Sequence, residues 1–350
     1  MTEEKEDQVT SAPAETEQEI KAEAEADPDA IEIHAPEADD SEVKLCQIGA
    51  GRPDSVVGIW DVSDDEYYAD KDHLSCSMIM DFVESPRLFE AKHITKTIVP
   101  KDDSPALLFG KAFHEALLRP EVYAKMFQQK PKFGRKKADL EAKAKWEAEN
   151  ENSTCLSEAD SEKIAAMVES VKRSKLLDIP GERKIEQAAR WKVNPGFRWN
   201  TDLAPNLESG PVGFPGEIWL KCKYDLVIDD DIIIDVKTIA SIGDDSLIAK
   251  HIHEYGYHIR EQWYLDGAKK IGMSKGKNPR AGYHFLFVSK EPPHDCLMVN
   301  LDFTFKLLAR QKIADWLQAF YDAVSTDDWR FRGEKEMSVV APPKWAMLKN

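Results

Sequence analysis

Nowhere does the 350-residue chain carry an apolar run of the ~18 residues that a membrane-spanning helix requires, so no such helix is expected. The basic-then-apolar opening of a secretory leader is also missing, and a cytoplasmic protein is the expectation. Clustered thiolates are lacking too. The five cysteines, Cys46, Cys76, Cys155, Cys222 and Cys296, are scattered, with no two in a C-x-x-C spacing. Structural zinc and iron–sulfur clusters need grouped thiolates, so neither is expected, and an odd number of isolated thiols fits a reducing compartment. Aromatic residues are absent from residues 1–44.

Net positive charge is lacking as well. Asp and Glu number 64 against 47 Lys and Arg, a formal net charge of −17. The imbalance is local: residues 1–44 hold 16 Asp/Glu and 3 Lys, which leaves −4 for the rest. An acidic segment without aromatics cannot bury enough surface to offset its chain entropy, so residues 1–45 are expected to be a disordered tail ahead of one domain over 46–350. The tail reads either as a solubilising segment or as a mimic of DNA that repels stray DNA by its charge. A near-neutral remainder is compatible with nucleic-acid binding, which needs only a local basic surface.

Helical spacing appears over 78–83, with Ser75 or Ser77 as N-cap, over 107–118, and at Ile164, Met167, Val168 and Val171 after the capping pattern Ser157-Glu158-Ala159-Asp160. Pro120 is expected to stop the second of these helices. Residues 128–147 read as an exposed basic loop running into a helix. Strands are expected over 185–193, 217–228, 232–238, 283–288 and 295–301, with a turn at 229–231 and helices over 259–271 and 307–324. Helices, a strand meander, a helix, more strands and a last helix make a mixed α/β fold, a central mixed sheet flanked by helices.

One constellation carries chemistry. Asp225 closes one strand and Asp235 lies on the next, so a tight turn can set the two carboxylates side by side. Asp235 and Lys237 are two residues apart and share a strand face. Carboxylates suit a hard divalent cation, and the lysine ammonium can hold an attacking water or stabilise developing charge. An ordinary salt bridge at a strand end would look the same, but Ile232-Ile233-Ile234 reads as a buried strand running straight into the charges, which is costly unless they are paired or bind metal. His114, one turn after Gly110, is either a core histidine or a third ligand. Gly110 would let a second element pack closely there. Glu186 is either a fourth ligand or an exposed strand carboxylate, and Tyr264 either contacts phosphate or packs beside Trp263. Lys130, Lys132, Arg135 and Lys136 form a basic run that is either a DNA-backbone contact or a solvated loop.

From Leu74 onward the chain resembles the phage and prophage exodeoxyribonuclease VIII (RecE-like) family, within the PD-(D/E)XK superfamily that includes lambda exonuclease and RecB nuclease domains. The resemblance rests on ordered motifs. They are Leu74-Ser75-Cys76-Ser77 with Ser85-Pro86, Gly110-Lys111-Ala112-Phe113-His114-Glu115 through Pro120, Leu156-Ser157-Glu158-Ala159-Asp160, Glu186, Lys221-Cys222-Lys223-Tyr224-Asp225, Ile234-Asp235-Val236-Lys237-Thr238, and Tyr257-His258-Ile259 through Gly267. Two positions depart from the family pattern: Tyr224 stands where many members have proline, and Arg260 stands at the glutamine position before Tyr264, with Gln262 two residues off. An arginine at that position can itself contact phosphate.

The resemblance implies a restriction-endonuclease-like core and a Mg²⁺-dependent exonuclease, Mn²⁺ substituting, that degrades one strand of linear double-stranded DNA, 5′ to 3′, in phage-type recombination. Its metal would be held by His114, Asp225, Asp235 and the Val236 backbone carbonyl, with Asp225, Asp235, Lys237, Glu186 and Tyr264 as the catalytic set and Arg260 beside them on the DNA. It also implies a homo-oligomer acting on DNA ends beside a single-strand annealing protein, in the cytoplasm of a bacterial or phage-infected host cell. The competing readings are an endonuclease or repair nuclease of the same superfamily, a CRISPR-associated iron–sulfur nuclease, and a catalytically inactive DNA-binding module. The scattered cysteines count against the iron–sulfur enzyme, and the intact Asp225, Asp235 and Lys237 count against the inactive module.

Overall fold

The computed structural model describes residues 48–98, 104–150, 153–194, 217–273 and 275–330; the acidic stretch 1–45 lies outside them. After β1 (Gly58–Trp60) comes α1 (Asp64–Ala69). Ser63 starts this helix: its hydroxyl accepts from the Glu66 N–H while the Glu66 carboxylate accepts from the Ser63 N–H, a reciprocal cap. β2 (Leu74–Ser75) leads into α2 (Cys76–Glu84), capped by Ser75 as the sequence suggests. α3 (Pro86–Phe89) follows and runs into a π-helical turn over Glu90–Ile94. α4 (Pro105–Leu118) ends before Pro120, but Pro120 itself opens α5 (Pro120–Met126), because a missing N–H is harmless in a first turn.

β3 (Phe127–Gln129) and β4 (Thr154–Leu156) form a separate two-stranded sheet with α6 (Lys137–Glu149) between them, and α7 (Glu158–Ser174) starts on the Ser157 cap. The main sheet contains β5 (Arg183–Val193), β6 (Ile218–Ile228), β7 (Ile232–Ile239), β8 (Gly282–Ser289) and β9 (Cys296–Val299). The order is β1-β5-β6-β7-β8-β9, with β2 added parallel to β6. β5, β6 and β7 are an antiparallel meander, whereas β7 and β8 run parallel, joined over α8 (Asp245–Glu254) and α9 (Tyr257–Lys270). α10 (Phe303–Thr326) follows β9. The expected mixed sheet with helices on its faces is the observed fold.

Both faces are covered, which explains the unbroken Ile232-Ile233-Ile234 run. Ile233 joins Trp191, Tyr224, Phe285 and Phe287 in a core closed by α2, α9 and α10. Ile232 and Ile234 join Leu226, Leu286 and Val288 in a second core closed by α4 and α7. The β6–β7 turn is tight. Asp229 and Asp230 have φ of 53° and 55°, and the Asp231 N–H donates to the Ile228 carbonyl at 3.1 Å, so three residues turn the chain between the paired Ile228 and Ile232.

A buried polar cluster ties α1 to β6. Asp70, Lys221 and His73 are buried. The Asp70 carboxylate takes Arg52 at 2.8 Å, His73 Nδ1 at 3.0 Å and Lys221 Nζ at 3.1 Å. Lys221 also donates to the Tyr67 and Asp70 carbonyls, at 2.7 and 2.6 Å. Burial pulls the Lys221 ammonium down to about 8. Burial pushes the Asp70 carboxyl up, but the His73 hydrogen bond and the Lys221 charge outweigh it and hold the group below the usual carboxylate range. α9 is seated as closely on the sheet. A Cβ on Gly267 would fall 2.7 Å from the buried Trp191 ring, whose Nε1 donates to Asp266 at 3.1 Å. Gly267→Ala is expected to destabilise the protein by about 1–3 kcal/mol through overpacking, read as a lower midpoint in chemical denaturation. A wild-type midpoint would show that the contact gives way at no cost.

Candidate active site

The site sits where β6 and β7 part. Their ladder runs from Ile228–Ile232 to Leu226–Ile234 and ends there, while β7 continues along β8 with Asp235 beside Phe285 and Lys237 beside Phe287. The next opposed residues at the fork are Asp225 and Asp235, the pair expected to meet across the turn. Asp225 Oδ2 accepts the Val236 N–H at 2.9 Å, so a side chain takes the bond that a ladder carbonyl would have made.

Two irregularities aim the neighbouring groups. On β6, Leu220, Cys222 and Tyr224 enter the first core but Leu226 and Ile228 enter the second, so the alternation slips by one residue at Asp225. Opposite it, Glu186 has φ of 54°, a left-handed conformation that costs a side-chain-bearing residue roughly 1–3 kcal/mol. The flanking pairs Ile185–Leu226 and Gln187–Tyr224 keep register on both sides. α4 supplies His114. Its Nε2 lies 3.2 Å from Asp225 Oδ2 and its Nδ1 lies 3.5 Å from Glu186 Oε1. Gly110 is not what brings α4 in: a Cβ there would meet only Thr238 Oγ1, at 4.0 Å, an ordinary contact.

One ligand atom from each of His114, Glu186 and Asp225 falls within 4.8 Å of the others. Asp235 adjoins this trio and is more deeply buried. Its Oδ2 accepts from the Tyr283 hydroxyl at 2.8 Å, and its Oδ1 is ion-paired with Lys237. Lys237 Nζ also donates to the Val236 carbonyl at 3.2 Å; of the expected cation ligands, His114 and Asp225 belong to the closely spaced trio and Asp235 lies beside it.

The charges are unequal. Burial pushes the Asp225 carboxyl up, yet the adjacent His114 and the Lys237 charge hold it well below the usual carboxylate range. Asp235 is raised by burial and by the Asp225 charge, against the pull of Lys237. Glu186 is raised, chiefly by burial. Burial lowers the His114 imidazole, but Asp225 and Glu186 overcome that and leave it above its ordinary value.

Tyr264 and Arg260 reach the fork from α9. The Tyr264 ring stands edge-on to Tyr224 and Tyr283, with centroids 5.6 and 6.0 Å away, so it packs in the aromatic group around Asp235. Burial works against the Arg260 charge, but Tyr264 and Asp235 reinforce it. Gln262 is buried, and its Oε1 accepts from Arg310 of α10 at 3.2 Å, a packing role. The basic run lies elsewhere, on the segment between β3 and α6. There Lys130 pairs with Glu147 at 3.1 Å and Lys132 pairs with Glu158, while Arg135 and Lys136 are exposed.

Several participants escaped the sequence reading. Tyr283 lies beside Ile233 in the β7–β8 pairing, and its hydroxyl reaches the Asp235 carboxylate. Lys223 holds Glu186 Oε2 at 2.6 Å. Asp64 and Arg119 extend that network; the Ser63-x-x-Glu66 cap was the available signal for the helix that carries Asp64.

The sequence matches the family described as a PDDEXK-like domain of unknown function, DUF3799, over residues 75–337. The chain belongs to that family. It thereby falls within the PD-(D/E)XK nuclease superfamily. No curated protein matches the chain. Among solved structures, a candidate exonuclease from Eubacterium rectale is similar at 14% identity and a TM-score of 0.47, covering 83% of this chain and 98% of that one. The protein SSO0001 is similar at 14% identity and a TM-score of 0.24, covering 65% of this chain and 90% of that one.

PDDEXK nucleases generally use divalent metals, and the donor set here fits one. An imidazole and two carboxylates converge, a third carboxylate adjoins, and the raised Glu186 and Asp235 are crowded anions whose repulsion a cation would relieve. His114 can ligate only when deprotonated at the coordinating nitrogen. Because its pKa is raised, the protonated form persists above the ordinary histidine value, so Mn²⁺ affinity is expected to fall as pH drops through that raised value. Calorimetric titration of Mn²⁺ at several pH values checks this, with His114→Ala abolishing that part of the pH dependence. An unchanged pH profile in the variant would remove His114 from the ligand set.

Proposed function

We propose that the protein is a divalent-metal-dependent deoxyribonuclease that degrades linear double-stranded DNA from its ends, 5′ to 3′, in phage-type homologous recombination. The observation that carries the nuclease reading is the meeting of His114, Glu186 and Asp225 with the Asp235–Lys237 pair at the β6–β7 fork. Action from an end rests on the ordered resemblance of the motifs to the exodeoxyribonuclease VIII family. Duplex ends are the substrate in this reading, a single-strand annealing protein the partner, a homo-oligomer the working form and the cytoplasm the place of action.

His114, Glu186, Asp225, Asp235 and the Val236 carbonyl would hold the cation, Mg²⁺ with Mn²⁺ as a substitute. When bound, such a cation neutralises phosphate charge and makes water more acidic. The chain's own groups do the rest. Tyr283 fixes one oxygen of Asp235, and Asp235 in turn fixes the Lys237 ammonium at the mouth of the fork. From there Lys237 orients the attacking water and stabilises charge on the phosphate. Arg260 and Tyr264 lie on the same side of the sheet, where a guanidinium can meet a phosphate oxygen.

End-labelled linear duplex and a covalently closed circle, each incubated with Mg²⁺, test the reading. The linear DNA is expected to be consumed and the circle spared, with label from 5′ ends released first. Asp235→Ala and Lys237→Gln are each expected to slow cleavage by roughly 100-fold or more. Cutting of the circle at the linear rate would overturn the exonuclease assignment, and full turnover by a folded Lys237→Gln protein would overturn the site.

A further inference from the structure

Beside the carboxylate trio, five charged side chains form one chain from α4 over α1 to the sheet. Glu115 takes Arg119 in a two-point pairing, at 2.8 Å from Nε and 2.6 Å from Nη2. Arg119 Nη2 also reaches Asp64 Oδ2 at 3.1 Å, and Asp64 Oδ1 accepts from Lys223 Nζ at 2.6 Å. Lys223 Nζ lies 2.6 Å from Glu186 Oε2. Each cation thus has a carboxylate of its own, Glu115 for Arg119 and Glu186 for Lys223. Asp64 is a second anion shared by both.

Asp64 differs from the others in exposure. Its side chain is 43% exposed, against 20% for Arg119 and 10% for Lys223. Its two oxygens are divided between the two cations, as the two non-bridging oxygens of a phosphodiester would be. The arrangement adjoins the candidate active site, because Glu186 touches both Lys223 and His114. Replacing one monoanion by another would leave neither cation unpaired, and the backbone need not move: Asp64 sits in the first turn of α1, whose far end is fixed at Asp70.

We propose that Lys223 and Arg119 form a subsite for a DNA backbone phosphate next to the scissile one, and that Asp64 occupies this subsite in the free protein. The identity of the ligand rests on the nuclease reading above. Lys223 and Arg119 are positioning residues for the strand, and Asp64 is a built-in competitor. Incoming DNA displaces the Asp64 side chain into water and takes its place on the two cations.

Fluorescence anisotropy of a labelled duplex, in calcium and over a range of salt concentrations, reads this directly. Asp64→Asn keeps the shape and removes the charge. It is expected to bind DNA roughly twofold to fivefold more tightly, the scale of an exposed ion pair. Its salt dependence should be steeper by about one unit of log K per log salt, because cations freed of Asp64 release counterions on binding. Arg119→Gln should bind several-fold more weakly with a shallower slope; Asp64→Ser serves if either protein melts below wild type. Binding that is unchanged or weaker in the folded Asp64 variants, or Arg119→Gln equal to wild type, overturns the subsite. So does a wild-type protein that binds no duplex. A parallel cleavage assay of the wild type separates the two ideas. Cleavage with binding indifferent to both substitutions sinks the subsite and leaves the nuclease. Tighter binding by Asp64→Asn without any cleavage sinks the nuclease and leaves the subsite.

Discussion

Three carboxylates, Glu186, Asp225 and Asp235, are gathered at one fork of a sheet that is covered on both faces, and the rest of the site is arranged around that repulsion. Buried charge of one sign is unfavourable unless it is paired. Each carboxylate has its own relief. Glu186 has Lys223, Asp225 has His114 and the Val236 N–H, and Asp235 has Lys237 and the Tyr283 hydroxyl. The relief is incomplete, which is why Glu186 and Asp235 remain raised while Asp225 is held down. His114, Glu186 and Asp225 offer donor atoms within 4.8 Å of one another, a spacing that suits one divalent cation, and Asp235 stands beside them.

The fork also divides the labour between the two faces of the sheet. Asp225 and Glu186 turn toward α4, where His114 waits, and Val236 packs in that same core. Asp235 and Lys237 share the parity of Ile233 and Ile239 and face α9, with Tyr257, Arg260 and Tyr264. The space between Asp225 and Asp235 is therefore flanked by His114 and Glu186 on one face and by cationic, aromatic side chains on the other. This geometry follows from ending one antiparallel ladder early while a parallel one continues past it.

Much of this was legible in the sequence, and for local reasons. Strand alternation places Asp235 and Lys237 together, a tight acidic turn brings Asp225 to them, and helical spacing puts His114 on a packed helix. Arg260, one turn before Tyr264, is near enough for the Asp235 charge to reinforce its own, while Gln262 turns to α10. What stayed hidden depends on contacts distant in sequence. Tyr283 is 48 residues from Asp235, and Asp64 is 159 residues from Lys223. Pro120 does mark the end of the helix over Pro105–Leu118, and the same missing N–H also suits the start of the next, which the spacing did not reveal. Close packing at Gly110 was expected from residue type alone, whereas α9 is closely approached at Gly267, against a tryptophan that no local pattern reveals.

The left-handed backbone at Glu186 shows why the meander must be long. A single non-glycine residue in that conformation would normally relax by slipping the strand register, which would turn every side chain of β5 to the opposite face. Here the irregular point is bracketed by three pairs on one side and seven on the other, from Arg183–Ile228 to Val193–Ile218. Those pairs bury Ala188, Ala189 and Trp191, so a slip would expose an indole and strand the Asp266 carboxylate that it serves. The strain is thus over-determined by ordinary strand pairing. At that point the Glu186 carboxylate lies 3.5 Å from His114 Nδ1 of α4.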